Sequence, residues 1–579
     1  MEARARARWI APLACALLAF AAFSPALRAG FVDMDDTQLL VTNEGYRGLD
    51  WAHLQWMLST RRMGHWQPLT WLSYAIDWKL HGLEPAWFHL TNLLLHALDA
   101  ALVCVLARRL LALARPDAAA RNPWGLEGGA LFAGLAFGLH PLRAESVVWV
   151  TERRDVLSAA LLLGALLAWL PARDGRRRPW LALLLQACSL TAKAWGMVLA
   201  PVLLVLEVYP LRRLPADPRR WLERAWWPVL LEKLPFLALG LAAAARARWA
   251  IDSLPGTVLS WSDWTLGERC VQACYGAWFY LARTLWPAQL SPMVALPSAL
   301  DPLEGRFLVG YAFVALAPLA FFVLRRRVPA LAAAAAVYLL VLAPVLGFMQ
   351  AGPQLVADRY SYLSCIGWAV VLAAGAWIAW ERARVATLAV SVALLAALGV
   401  AGFRQAGVWH STESLWTHAI EVGPPSAIAH QSLSAVLAAR GERESAVAQL
   451  EQALRIDPES ADAWFVLGNL RHMLGAREPA AAAWREAAHY GNPSYLAWMA
   501  LGKLQRDELR DFDGALESFE QAVKSVEASP PELMNPFAYL ALGEELARRG
   551  RKDEARARLE VAARYAKTAD AARAALARL

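Results

Sequence analysis

Residues 463–488 read AWFVLGNLRHMLGAREPAAAAWREAA. Small residues stand there at helical spacing between aromatic and leucine positions, and the same arrangement returns along the end of the chain. Setting the tail against itself aligns His430, Leu433 and Ser434 with Trp464, Leu467 and Gly468, then with Trp498, Leu501 and Gly502, and last with Tyr539, Leu542 and Gly543. A small alanine follows each set, at Ala446, Ala480, Ala515 and Ala555. From Ser434 to Gly468 to Gly502 the step is 34 residues. The last step is longer, with its extra residues around Arg506 to Asp513 and in the Ser529-Pro530-Pro531 turn. Small residues let paired helices cross closely, and Pro458 closes the first unit.

That period and those positions are what the tetratricopeptide repeat needs to stack. Residues 426–579 are therefore predicted to form an α-solenoid of about four repeats, with a concave groove that takes a protein or peptide. The alternative is a structural cap without a ligand. Before the array, residues 406–425 are read as a linker, and residues 1–405 are a different kind of chain.

The whole has 579 residues, 58% hydrophobic, with 28 Trp, too apolar for a soluble enzyme. The net charge of +8 sits in short clusters between apolar runs, such as Arg325, Arg326 and Arg327. That is the pattern of membrane topology, not of a nucleic-acid footprint. The six Cys form no C-x-x-C pair, so neither a disulfide framework nor a zinc site is indicated. After Arg4, Arg6 and Arg8 the apolar run from Trp9 to Leu27 exceeds a signal-peptide core and suits an uncleaved span. Ala26-Leu27-Arg28-Ala29 is a poor cleavage site for the secretory alternative.

Apolar segments near 9–27, 87–107, 128–141, 156–171, 180–192, 195–210, 234–250, 306–324, 329–349, 361–380 and 385–403 thread as about eleven spans. With the amino end cytoplasmic, Arg108, Arg109, Arg115 and Arg121, the cluster from Arg173 to Arg178, Arg212, Arg213, Arg219 and Arg220 all fall inside. Counting the stretch from Cys270 to Trp286 as a span would move the Arg325 triplet outside. It is therefore read as a re-entrant or interfacial helix, consistent with its Arg269 and Arg283. The repeats then leave on the outer face.

On that face stand Phe31-Val32-Asp33-Met34-Asp35-Asp36, three carboxylates within four residues. A carboxylate there can be a general base toward an acceptor hydroxyl, or ligate a divalent cation that neutralises a phosphate leaving group. Asp35 and Asp36 are the ligands such a cation would use. Outer loops also carry Arg143, Arg153, Arg154, Lys193 and Arg359, where topology alone would place few cations. An anionic phosphate would explain them. So would pairing with Glu145, Glu152, Asp155 and Asp358 nearby in sequence. His65 and His140 are lone histidines, more often structural than ligating. No H-E-x-x-H, G-x-S-x-G or phosphate-cradling glycine loop is present. A transporter would want ionisable residues along a path, and only Asp99 and Glu207 offer themselves.

Taken together, FVDMDD, HWQPLTWLSYAID, FHLTNLLLHAL, HPLRAESVVWVTERRDVLS, EKLPF, QLVADRYSYL and the repeats, in that order, resemble the transmembrane and tetratricopeptide-repeat-containing family. That family is similar to the GT-C glycosyltransferases, which include the protein O-mannosyltransferases. The resemblance covers nearly the whole chain. It implies an all-α, GT-C-like membrane bundle that moves a sugar from a polyprenyl-phosphate carrier to an acceptor protein on the non-cytoplasmic face. It implies Asp35 and Asp36 as the catalytic carboxylates, and Arg153, Arg154, Lys193 and Arg359 as carrier-phosphate ligands. Asp33, His140, Arg143, Glu145, Asp358 and Tyr360 support them. Arg143 stands where relatives often show His, Arg154 where Lys is common and Asp33 where Asn is frequent. The alternative is a membrane-anchored repeat scaffold without enzymatic activity. The alanine, arginine and tryptophan richness favours a bacterial inner membrane with periplasmic repeats.

Overall fold

The computed structural model describes residues 2–171, 177–253, 259–260, 264–297, 300–348, 352–491, 494–529 and 535–579. Arg173 and Arg176 of the basic cluster, and Pro530-Pro531 of the expected turn, lie outside the described residues. The described residues are all-α apart from two short strands, and the chain divides into two compact units, Met1–Gly423 and Pro424–Leu579.

In the first unit every expected apolar segment is helical: α1 (Glu2–Ala22), α2 (Pro85–Ala114), α3 (Pro123–Gly138), α4 (Arg153–Trp169), α5 (Pro179–Ala192), α6 (Leu199–Val208), α7 (Leu234–Ile251), α8 (Leu266–Leu285), α9 (Gly305–Arg327), α10 (Pro329–Leu342), α11 (Ile366–Arg382) and α12 (Arg384–Val408). Prolines at Pro85, Pro123, Pro179 and Pro329 open four of them, where a missing N–H costs nothing and a fixed φ helps. Close approach is made by small residues. A Cβ on Gly134 would lie 2.5 Å from the Cys15 sulfur, and one on Gly138 would lie 2.7 Å from Ala100 Cβ, so α1, α2 and α3 pack nearly backbone to backbone.

Among the described residues, four helices are long and apolar enough to cross a membrane: α2, α7, α9 and α12. The pair Asp358–Ser364 and α11, bent by 56°, would make a fifth. This falls short of the expected eleven. The other segments are helical but short, α5 having 14 residues. At 1.5 Å per residue that is roughly 21 Å, against about 30 Å of bilayer core. The segment α8 is one unbroken helix with Arg269 buried. Arg269 donates to the carbonyls of Trp264 (2.9 Å), Leu259 (2.9 Å) and Phe348 (3.0 Å).

Contacts between loops show which helix ends share a side. The end of α1 meets the start of α4, since Asp36 accepts from Thr151. The end of α5 meets the same place through Lys193, and the start of the bent pair through Arg359. At the opposite ends, Arg109 of α2 donates to Leu167 O in α4 (2.6 Å), and Arg115 pairs with Glu381 of α11 (3.5 Å). The strands Val294–Ala295 and Gln354–Val356 pair antiparallel.

The expected linker 406–425 is not a linker. It holds the end of α12 and a further helix, α13 (Thr412–Val422), whose Leu415 and Trp416 are buried. Leu415 belongs to the core of the first unit.

The second unit is a run of antiparallel pairs: α14 (Ala427–Ala439) with α15 (Arg443–Ile456), α16 (Ala461–Met473) with α17 (Arg477–Tyr490), α18 (Tyr495–Leu504) with α19 (Phe512–Glu527), and α20 (Pro536–Arg548) with α21 (Lys552–Ala563). The small positions are where the paired helix crosses. A Cβ on Gly468 would lie 2.5 Å from the Trp484 ring, on Gly502 2.7 Å from Phe519, and on Gly543 2.7 Å from Leu559. At Ser434 the hydroxyl instead donates to Ala446 O (2.9 Å). Ala446, Ala480, Ala515 and Ala555 are fully buried. The extra residues of the third repeat form a π-helical turn, Gln505–Leu509, that ends on the left-handed Arg510.

Candidate active site

The acidic stretch after α1 is turned inward at one carboxylate and left open at the other. Asp36 is fully buried. One of its oxygens accepts the Val32 N–H (3.0 Å), and the other accepts both the Thr151 N–H (3.0 Å) and the Thr151 hydroxyl. Burial pushes its carboxyl up to about 7, although these three donors pull it back. Asp35 is half-buried, and its carboxylate has no hydrogen bond or ion pair among the described residues, while its carbonyl accepts from the Leu39 N–H (2.8 Å). Burial raises its carboxyl as well, with Glu152 adding to the rise and Arg154 and Arg359 opposing it.

Next to Asp35 the turn Val150–Glu152 leads into α4 and presents Glu152, on which three cations converge. Arg154 holds it in a two-pronged fork (2.6 and 3.1 Å), Lys193 at 2.9 Å and Arg359 at 3.5 Å. Burial alone would raise Glu152, but these cations outweigh it and hold the carboxyl well below the ordinary range. Lys193 also donates to Asp155 (2.6 Å), and Arg359 to Glu145 through its side chain and its N–H (2.8 Å). Thus the three cations that face the site, Arg154, Lys193 and Arg359, are all paired, and two of them keep donor capacity to spare. Nη1 of Arg154 is buried without a partner, and Lys193 is one-fifth exposed. His65 lies in the same field, pushed well below its ordinary value by burial and then by Arg154, so its imidazole is neutral. The arrangement combines an unengaged carboxylate, a neutral imidazole and a cationic wall.

Of the two carboxylates expected to hold a divalent cation, Asp35 is unengaged and Asp36 is not available as it stands. Asp36 has both oxygens occupied by protein donors, Glu152 is saturated by cations, and no group of three or more His, Cys, Asp or Glu among the described residues is placed to hold a metal ion.

Comparison with known proteins bears on this site. Residues 436–475 match the TPR repeat family. Protein O-mannosyl-transferase Tmtc1 of Drosophila melanogaster is 25% identical over 546 residues, covering 76% of this chain and 60% of the fly protein. Human protein O-mannosyl-transferase TMTC1 is 24% identical over 522 residues, covering 78% and 56%. Drosophila protein O-mannosyl-transferase Tmtc2 is 31% identical over 212 residues, covering 34% and 21%. The chain is similar to these proteins named O-mannosyl-transferases. It spans about 60% of the length of the first of them. Among solved structures, "YrrB: a TPR protein with an unusual peptide-binding site" covers 28% of the chain at 24% identity and a TM-score of 0.24.

Within this relative of the O-mannosyl-transferases, the structure sorts the expected site residues. Asp35, Glu145, Arg154, Lys193 and Arg359 come together. Arg153 does not join them. It is fully buried on the other side of its turn, paired with Asp77 (2.5 Å), bonded to Asn92 (2.8 Å) and Phe88 O (2.8 Å), and stacked on Tyr74 at 4.5 Å. Its expected role as a phosphate ligand gives way to an internal anchor. Asp33 is exposed, its N–H tied to Thr412 (2.9 Å). His140 uses both ring nitrogens, on Thr284 O (3.0 Å) and the Leu142 N–H (3.3 Å). Tyr360 accepts from Gln354 (3.0 Å), and the buried Asp358 shares its 3-10 turn with Arg359. Arg143 lies apart from Glu152 in an apolar cavity. Reading by sequence had Glu152 as one of several acids that could pair with the basic residues, without its central place among three of them, and His65 only as a lone histidine. The only signal for either was its place in a charged or aromatic loop.

Proposed function

We propose that this chain is a multi-pass membrane glycosyltransferase that moves a sugar from a polyprenyl-phosphate carrier to a hydroxyl acceptor, with the repeats presenting acceptor protein. The observation that carries the reading is the half-buried Asp35 carboxylate, without a partner among the described residues, beside a cation wall gathered on Glu152. In this scheme Asp35 takes the acceptor hydroxyl proton as the oxygen attacks the anomeric carbon. The bond from that carbon to the phosphate oxygen breaks, with inversion, and the phosphate leaves with the electron pair. Arg154, through its free Nη1, and the outward edges of Lys193 and Arg359 stabilise the leaving phosphate. Neutral His65 is placed to hold a sugar or acceptor hydroxyl. Asp36 positions Thr151 and so the turn that carries Glu152 and Arg154.

We place the site on the non-cytoplasmic face of a bacterial inner membrane, with the repeats in the periplasm. The alternation of helix ends supports a threading in which the shorter helices cross as well, to about eleven spans. Relatives named protein O-mannosyl-transferases support the reaction class. The test is sugar transfer from a panel of polyprenyl-phosphate sugars to a hydroxyl-bearing protein extract, by the wild-type chain and by Asp35→Asn. Transfer by the first and none by the second is expected. Transfer that survives in Asp35→Asn would overturn the assignment of the base. No transfer from any donor would favour the scaffold.

A further inference from the structure

One arginine of the first unit is buried without the partners that Arg153, Arg154 and Arg359 have. Arg143 ends the 3-10 turn Pro141–Arg143 and is 1% exposed. Its guanidinium lies against Phe137 (5.2 Å) and Tyr362 (5.5 Å), rings whose centroids are themselves 5.2 Å apart, so both stand to one side of it and give its N–H edge no acceptor. Along that edge Nε and Nη1 are buried with no acceptor; the Cys365 thiol is the guanidinium's side-chain hydrogen-bond neighbour, Asp358 acts on it at longer range, and among the described residues no carboxylate lies within 4 Å of it. A guanidinium cannot shed its proton to escape this, so the site is incomplete without an anion.

The edge faces a cavity of about 430 Å³ between α3, α8, α11 and α12. Its polar end is Arg143 with His140, Thr284 and Cys365, and its length is apolar, with Phe132, Leu372, Leu394 and Leu398. The other polar groups are already engaged. His140 is bonded through both nitrogens, and the Thr284 hydroxyl donates to Tyr280 O (2.6 Å). Apart from the indole N–H of the exposed Trp286, the free donors of the cavity among the described residues belong to Arg143. Chemistry of this kind, a cation at the head of an apolar channel between helices, is matched by an anionic amphiphile.

We infer that the Arg143 cavity binds an anionic phospholipid, its phosphodiester on the guanidinium edge and an acyl chain along Phe132, Leu394 and Leu398. A membrane phospholipid is favoured over the donor's carrier because a donor phosphate must sit where base and acceptor meet. None of Asp35, His65, Glu152, Arg154, Lys193 or Arg359 lines this cavity. That the cavity takes an anionic amphiphile does not depend on the transferase reading; the choice of a phospholipid over the donor's carrier rests on it.

The test uses the full chain in nanodiscs of phosphatidylcholine, alone or mixed with phosphatidylglycerol, with thermal midpoints and mass spectrometry of the lipid retained after detergent extraction. The wild type should be stabilised by phosphatidylglycerol and retain it. Arg143→Gln should lose both effects, and Arg143→Lys should keep part of them. Ala401→Phe fills the cavity without touching the guanidinium, so it should lose retention even if Arg143→Gln fails to fold. Three results would overturn the site. The first is a wild type that shows no preference for phosphatidylglycerol. The second is an Ala401→Phe variant that retains the lipid as the wild type does. The third is an Arg143-dependent shift produced by polyprenyl monophosphate and not by phosphatidylglycerol, which would assign the cavity to the donor.

Discussion

Asp35 and Asp36 are neighbours in sequence with opposite fates, and their substitutions should separate. Asp35→Asn removes a site carboxylate that has no side-chain partner among the described residues, so on the proposed scheme transfer should fall by about 10²- to 10⁴-fold with an unchanged thermal midpoint. Asp36→Asn replaces an acceptor of three donors by a group that can accept through one oxygen alone. It should destabilise the chain by about 1–3 kcal/mol, read in thermal unfolding, with activity falling in step. The pH profile carries a second prediction. Asp35 acts as the carboxylate, and burial raises its value, so activity should rise with pH through a midpoint above that of an ordinary aspartate, about 3.9. Arg154 pulls that value down. Arg154→Gln should therefore move the acid limb to higher pH as well as slow transfer, whereas a purely structural arginine would leave the midpoint in place. That acids stand after the first helix was legible in FVDMDD. Which acid is free was not, because it is decided by Thr151, 115 residues away. For the same reason Arg153 and Arg154 look equivalent in sequence, yet a turn at the start of α4 sends one to Asp77 and the other to Glu152.

Helices were the most legible part of the chain, since apolar runs opened by proline and bounded by arginine leave little choice. Their lengths were not, because helix ends in this bundle are set by packing and by 3-10 turns such as Ala194–Val198 and Val150–Glu152, which no periodicity announces. The linker was misjudged for a related reason. Residues 412–422 are polar enough to suggest a connector, but Leu415, Trp416 and Ala419 fall on one face and bury it. In the repeats the small positions were read correctly, and the structure gives each its reason in the side chain that crosses there. Gly468→Val should bring a methyl-bearing carbon into the Trp484 ring and displace the indole, which also bonds Asn469 (3.1 Å). Overpacking of this kind costs about 1–3 kcal/mol. The readout is limited proteolysis of the full chain, with faster cutting between 461 and 490 and an unchanged rate in the first unit.

The chain as a whole divides its labour between two separately packed units. All the proposed chemistry, Asp35, His65, Glu152, Arg154, Lys193 and Arg359, lies in Met1–Gly423, and the repeats in Pro424–Leu579 contribute none of it. If the repeats act by holding acceptor protein near the membrane, their contribution is one of local concentration, and tethering of that sort raises apparent affinity by about 10²- to 10⁴-fold without a new contact at the reacting atoms. A chain ended after Gly423 should then transfer sugar to a short soluble hydroxyl acceptor at close to the full rate. With a protein acceptor the loss should appear as a raised KM while kcat at saturation is kept. Equal loss for both acceptors, with the thermal midpoint of the first unit unchanged, would mean that the repeats complete the catalytic site instead of supplying it. Equal retention for both would leave the array no part in acceptor choice.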